Sequence, residues 1–181
     1  MANKVKFNLK NVHYAKVEEN GYGTPVAIPG AVSLSLDPQG ELAKFFADGT
    51  LYFNSASNNG YEGDLEIALI PDQFRIDILN EQEDTNKVLF ENVDAITNKF
   101  AFGFQFDGDV KGTKYWFLNC TATRPGVNAQ TKQETIEPTT DTLTLSCAPD
   151  ANGDVRCKTQ ETTEATIYDN WFNQVYTKSA S

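Results

Sequence analysis

At 181 residues the chain suits one domain that buries its own core without a metal or a disulfide. Its 40% hydrophobic content argues against disorder, and its net charge of −10 argues against a protein that wraps nucleic acid. Three cysteines without a CxxC spacing, and His13 as the single histidine, argue against a zinc set.

No apolar run reaches the roughly 18 residues of a membrane-spanning helix. The N-terminal MANKVKFNLK has lysines but no apolar core, so no signal peptide is read and the cytosol is the expected compartment. The charge is unevenly spread. Residues 1–16 carry Lys4, Lys6, Lys10 and Lys16 with no acid, whereas residues 134–170 carry eight acids against Arg156 and Lys158.

In chain order, Val5, Phe7 and Leu9 alternate with lysines and Asn8. This predicts a strand with one apolar and one cationic face, either an edge strand whose lysines discourage stray pairing or a surface for an acidic partner. Glycines and prolines at 20–30 predict turns. Val32, Leu34 and Leu36, alternating with Ser33 and Ser35, predict a strand closed by Asp37-Pro38. Asp48-Gly49, at the centre of FFADGTLYF, is the strongest short hairpin signal.

The stretch from Asn58 to Leu79 then predicts a strand through Leu65, Ile67 and Leu69. A helix follows, with Pro71 as its first residue, Asp72 in its first turn, an end at Leu79 or Asn80, and Phe74 and Ile78 on one face. Residues 81–88 predict a charged turn, and Val88–Val93 a short strand.

Phe100, Phe102, Phe104 and Phe106 share one face of a predicted strand, and the small face opposite, with Gly103, implies a close neighbour. Residues 107–112 predict a turn into a partner strand with Trp116, Leu118, Cys120 and Ala122 on one side. A ten-residue loop, 124–133, precedes a strand with Leu143, Leu145 and Cys147 on one face. A hairpin turn at 148–154 leads to Val155 and Cys157 and on to a threonine-rich strand reaching Ile167. Tyr168, Trp171, Phe172, Val175 and Tyr176 predict a short helical turn docked on the body or on a neighbour.

No segment carries a catalytic motif. Asp107 and Asp109 could be paired carboxylates, but at a hairpin tip they read as turn formers. Asp150, Asn152 and Asp154 fill calcium-loop positions, yet Val155 stands where that loop requires glycine. Cys147 and Cys157 could face each other across a hairpin, either as a disulfide or as buried thiols.

Across nearly its whole length the chain resembles the major tail proteins of long, non-contractile-tailed bacteriophages of Gram-positive bacteria. The resemblance rests on residues 5–15, 23–41, 58–75, 104–125, 135–145 and 168–172 (VKFNLKNVHYA, GTPVAIPGAVSLSLDPQGE, NNGYEGDLEIALIPDQFR, FQFDGDVKGTKYWFLNCTATRP, TIEPTTDTLTL and YDNWF). It implies a mostly β fold (α+β) of two packed antiparallel sheets, sandwich- or barrel-like, flanked by one short helix. It also implies a single tail-tube domain over residues 1–181, without the immunoglobulin-like domain that some members carry.

The implied role is structural, with no enzymatic activity and no cofactor. Hexameric rings would stack into a tail tube around a tape-measure protein, between initiator and terminator proteins, and DNA would pass through the lumen unbound. Assembly would take place in the host cytoplasm and the product would be a virion tail. Acidic strand faces are expected to line the lumen. Subunit contacts are expected at Lys4, Lys6 and Lys10, at Asn58, Asn59 and Tyr61, and at Trp171, Phe172 and Tyr176. The alternatives are a carbohydrate-binding β-sandwich, for which exposed tryptophan and tyrosine would be the signature, and a hydrolase built on Asp107 and Asp109.

Overall fold

The computed structural model describes residues 3–132 and 134–179. The first half of the chain forms β1 (Lys6–Glu18), β2 (Gly21–Tyr22), β3 (Val26–Ala27), β4 (Ala31–Gln39), β5 (Leu42–Ala47), β6 (Thr50–Ala56), β7 (Gly60–Ile67) and helix α1 (Asp72–Asp77). The second half forms β8 (Gln82–Glu83), β9 (Leu89–Phe90), β10 (Phe100–Gly108), β11 (Thr113–Ala122), β12 (Asp141–Ala148), β13 (Arg156–Lys158) and helix α2 (Ala165–Asp169).

One large antiparallel sheet runs in the order β2-β1-β10-β11-β12-β7-β4, with β3 beside β1 and β13 beside β11. Strands β1 and β4, from opposite ends of this path, also contact each other, so the sheet curls into a sandwich-like body. The two sheets expected from the resemblance are thus two halves of one continuous sheet. They join where β12 meets only Asn119–Ala122 of β11.

The main core lies inside this curl. Phe100, Phe102 and Phe104 of β10 meet Leu65 and Ile67 of β7 and Leu143 and Leu145 of β12, all buried. Fully burying such a side chain contributes about 1.5–3 kcal/mol. Helix α1 closes one end. Phe74 sets its ring edge-on against Tyr14 at 5.1 Å and against Phe100 at 5.6 Å, and the Tyr14 hydroxyl donates to Asp77 Oδ2 at 2.8 Å.

A smaller core occupies the opposite face of β10 and β11. Ala15, Ala101, Trp116 and Leu118 are covered there by the C-terminal segment through Trp171 and Val175. Gly103 permits this packing: a Cβ at that position would lie 2.6 Å from the Trp116 ring. The Trp116 indole N–H donates to the Trp171 carbonyl at 3.0 Å. The close neighbour expected of the small face is therefore Trp116.

Several expectations are corrected. Strand β7 ends at Ile67: one more bond in the same register runs from the Ala68 N–H to Gly30 O, after which the Ile70 N–H turns to Asp141 Oδ2 and Leu69 is left 71% exposed. Pro71 is the N-cap, with ψ 140°, so the helix starts one residue later than expected, and with Ile78 as C-cap it ends at Asp77, two or three residues before the expected Leu79 or Asn80.

On β11, Phe100 pairs with Cys120 but Phe102 pairs with Phe117, so one extra residue bulges out of the ladder. A one-residue slip exchanges faces. Trp116 and Leu118 therefore enter the small core, while Cys120 and Ala122 enter the main one.

Strand β13 pairs with β11 rather than with β12, and residues 159–167 form turns and the start of α2 rather than a strand. Val32 is exposed at a register shift in β4, and Val5 and Phe7 are exposed at the start of β1.

Candidate assembly surfaces

Strands β5 and β6 form a hairpin that pairs with no other strand among the described residues. Asp48 and Gly49 both have positive φ, 52° and 76°, as the tight turn expected there requires. The hairpin carries Leu42, Phe45, Phe46, Leu51, Tyr52 and Phe53, exposed between 48% and 73%. A register shift after Phe45 places Phe45 opposite Phe53 and Phe46 opposite Leu51, so both faces are apolar. Soluble proteins rarely leave such a patch open unless it meets a partner, and an isolated two-stranded hairpin is marginal in water. Six residues of strand give it a reach of about 20 Å.

A second apolar surface opens where the curled sheet fails to close. Phe7, Leu36, Tyr61, Phe106, Tyr115 and Phe117 line a groove of about 490 Å³ between β1 and β4. Its rim is cationic. Lys6 Nζ lies 5.7 Å from the Phe106 ring centre, and the Arg156 guanidinium lies 5.6 Å and 5.5 Å from those of Tyr61 and Tyr115.

The third surface is the outer face of β4, β7 and β12. Direct register pairing places Ser33, Glu66 and Thr142 in one row and Ser35, Asp64 and Thr144 in the next. Asp37, Glu62 and Ser146 form a third row, which Thr121 extends. Every side chain here is a hydroxyl or a carboxylate. Thr140 and Ser33 donate to Glu66 at 2.6 and 3.0 Å, and those hydrogen bonds hold its carboxyl below the usual range. Thr144 donates to Asp64 at 2.7 Å. Glu66 therefore keeps its negative charge at neutral and mildly acid pH.

The expected contact residues fall into three groups. Lys4 is exposed, while Lys10 is engaged within its own subunit by Asp107 at 2.6 Å. Asn58 and Asn59 are exposed; the Asn58 side chain accepts from the Gly60 N–H at 3.1 Å. Tyr61 is half-buried, its ring edge-on to Phe117. Trp171 is 3% exposed inside the small core, so its side chain cannot reach a neighbour. Phe172 and Tyr176 are half-buried, stacked on His13 at 4.6 Å and on Trp171 at 5.5 Å. Lys114 pins this segment by donating to the Tyr168 carbonyl at 2.7 Å. The docking of the terminal aromatics is on the subunit's own body.

The residues weighed for chemistry are spent on structure. Lys10 and Asn8 hold the Asp107 carboxyl below its usual range, opposite to what a general acid needs. Asp109 accepts the Lys4 N–H at 2.7 Å. Asp150 closes its own turn by accepting the N–H groups of Asn152 and Asp154 at 2.8 and 2.9 Å. Both tryptophans are buried, so neither offers the sugar platform that the carbohydrate alternative needs.

His13 donates through Nδ1 to Asn11 O at 2.8 Å, and burial nonetheless lowers its pKa. A histidine held neutral in the folded state adds stability that is present above about 6.5 and lost as the pH falls below it. Tm should therefore drop between pH 7.5 and 5.5, and the Tm gap between wild type and His13→Gln should narrow over that range. A constant gap would show that the ring does not titrate into strain.

The hairpin tip was legible in the sequence. The acidic face was not, because its rows join strands distant in the chain.

No family model and no curated protein matches this sequence. Among solved structures, the chain is similar to one in the cryo-EM structure of the anti-feeding prophage baseplate, which was six-fold symmetrised. Identity is 13% and the TM-score 0.52, over 90% of this chain and 99% of that one. A chain of the cap that terminates the tube of the same prophage matches at 9% identity and TM-score 0.46, over 86% and 93% of the two chains, too distant to argue from. The likeness to the baseplate chain shows a shared fold.

Proposed function

We propose that this protein is a structural subunit of a phage tail tube, polymerising as stacked, hexameric rings through which DNA passes. The observation that carries this reading is the β5–β6 hairpin, an arm with two apolar faces and no partner strand. Covering its six large side chains would contribute on the order of 1 kcal/mol each, before the cost of association. The aromatic groove between β1 and β4 suits the arm of a neighbouring copy, and its rim of Lys6 and Arg156 complements Asp48 at the hairpin's tip and Glu41 at its base, which outnumber the hairpin's one cation, Lys44.

The hydroxyl and carboxylate face of β4, β7 and β12 suits a lumen. Such a surface repels phosphate, and its fixed negative charge would be concentrated by ring symmetry within about 8 Å at physiological salt. The fold shared with a chain of a six-fold symmetrised baseplate supports the same reading. Tape-measure, initiator and terminator proteins are the partners this role requires, with assembly in a bacterial host and a virion tail as the destination.

Negative-stain microscopy of the purified protein tests the proposal. Rings or tubes of uniform diameter are expected, with the acidic face inside; a reconstruction with a basic lumen would remove the conduit role. Lys4 and Lys6 are the exposed N-terminal cations on offer to the acidic C-terminal third of another copy. Lys4→Glu with Lys6→Glu should slow polymerisation several-fold at low salt and less at high salt, read by light scattering. Unchanged rates would leave those lysines with the role of guarding a free strand edge.

A further inference from the structure

The β11–β12 seam holds two cysteines where no hairpin turn joins them. Cys120 and Cys147 are direct register partners, and their sulfurs lie 2.7 Å apart. The ladder phase settles which kind of pair they form. The Thr123 N–H donates to Thr144 O at 3.0 Å, which makes Thr123 and Thr144 a hydrogen-bonded pair. Counting back along the same register, Thr121 with Ser146 is the next such pair, and Cys120 with Cys147 falls between them. Non-hydrogen-bonded pairs bring Cα atoms to about 4.5 Å, inside the range a disulfide spans without backbone movement.

Cys157 stands apart. It pairs with Trp116 on β11 and packs in the small core, on the far side of the sheet from Cys147. The pairing of Cys147 with Cys157 weighed from the sequence thus gives way to Cys120 with Cys147.

We propose that Cys120 and Cys147 form a latent disulfide that staples the two halves of the sheet once the protein meets an oxidising medium. The position is where a staple counts. This seam has four register pairs, and it alone connects the β1–β10–β11 half to the β12–β7–β4 half along the sheet path. The bond would close the loop 120–147, in which residues 123–132 and 134–140 form neither helix nor strand. Closing a loop of this length mainly restricts the unfolded chain.

The reaction is a thiol–disulfide exchange. The thiolate of one cysteine attacks a small-molecule disulfide such as oxidised glutathione, releasing one thiol, and the second cysteine displaces the other. Two protons leave the protein, one S–S bond forms, and the oxidant is reduced to two thiols. Burial raises the Cys120 thiol well above its ordinary pKa, so the thiolate is scarce in the folded protein. The pair should persist as thiols in a reducing cytosol and close during folding or on transient opening outside it.

The experiment compares protein kept reduced with protein treated with oxidised glutathione, both folded and during refolding from denaturant, the second arm removing any barrier of access. Each sample is denatured, alkylated and weighed, and the linked peptides are sequenced. One alkylated thiol, on Cys157, with Cys120 joined to Cys147, is expected after refolding. Tm should rise by roughly 5–10 °C over the reduced form. Cys147→Ala, which leaves the other two thiols, should show no internal linkage and no rise. Three alkylated thiols after both treatments, a bond involving Cys157, or a linked protein without a higher Tm would each overturn the proposal.

Discussion

Phe46→Asp with Tyr52→Asp should abolish ring and tube formation while leaving the subunit folded. Both side chains are more than 60% exposed and belong to a hairpin that pairs with no other strand among the described residues. Exposed substitutions of this kind usually change stability by less than about 0.5 kcal/mol. An assembly interface is different, because two charges would have to be buried at every arm of every ring, at several kcal/mol each. Tm and far-UV circular dichroism should match wild type, and microscopy should show monomers. Phe7→Asp, at the edge of the groove and 54% exposed, should give the same phenotype if that groove receives the arm. If the hairpin variant fails and the Phe7 variant assembles, the arm docks elsewhere. Normal tubes from the hairpin variant would remove the main support for the proposed function.

The second large effect is on stability. Trp116→Ala should cost about 3–5 kcal/mol, because it empties the centre of the small core. Gly103→Ala should cost at least 1–3 kcal/mol by the opposite route, overpacking. The added methyl would meet three atoms of the Trp116 ring at 2.6–2.8 Å, and the ring is tethered through its N–H to Trp171 O. The two changes should not add. In Gly103→Ala/Trp116→Leu the smaller side chain makes room, so the double variant should be more stable than the sum of its singles in urea unfolding. Strict additivity would mean that the glycine matters for its backbone rather than for the indole.

The sequence made legible what depends on near neighbours. Asp48-Gly49 located a hairpin because its turn demands positive φ, and the four phenylalanines of β10 identified a core face because period two survives in a regular strand. Gly103 announced a close contact and left the partner open. What stayed hidden depends on bulges and on pairing across the chain. The alternation through Trp116, Leu118, Cys120 and Ala122 looks continuous on paper, yet one extra residue in β11 turns the last two to the other face. Leu69 continued the pattern of Leu65 and Ile67, but the strand had already left the ladder. The acidic face needs β4, β7 and β12 side by side, and the Cys120–Cys147 pair needs β11 beside β12. Local spacing carries neither fact. Trp171 and Tyr176 read as too apolar for water, and that was sound, but composition could not say that their shelter was the subunit itself.

The pairing of β1 with β10 sets a timetable for biosynthesis. Lys6 lies opposite Gly108, so the start of the first strand waits for β10 while about a hundred residues are translated, roughly ten seconds at ordinary ribosome speeds. The β5–β6 hairpin closes over two residues and can form within about 1–10 μs of leaving the ribosome. Nascent chains on one messenger therefore display apolar arms before any of them has a finished groove or a complete body to receive one. Delay of the body acts as a built-in lag: arms can meet competent partners only after release, when the full charge of −10 also keeps copies apart.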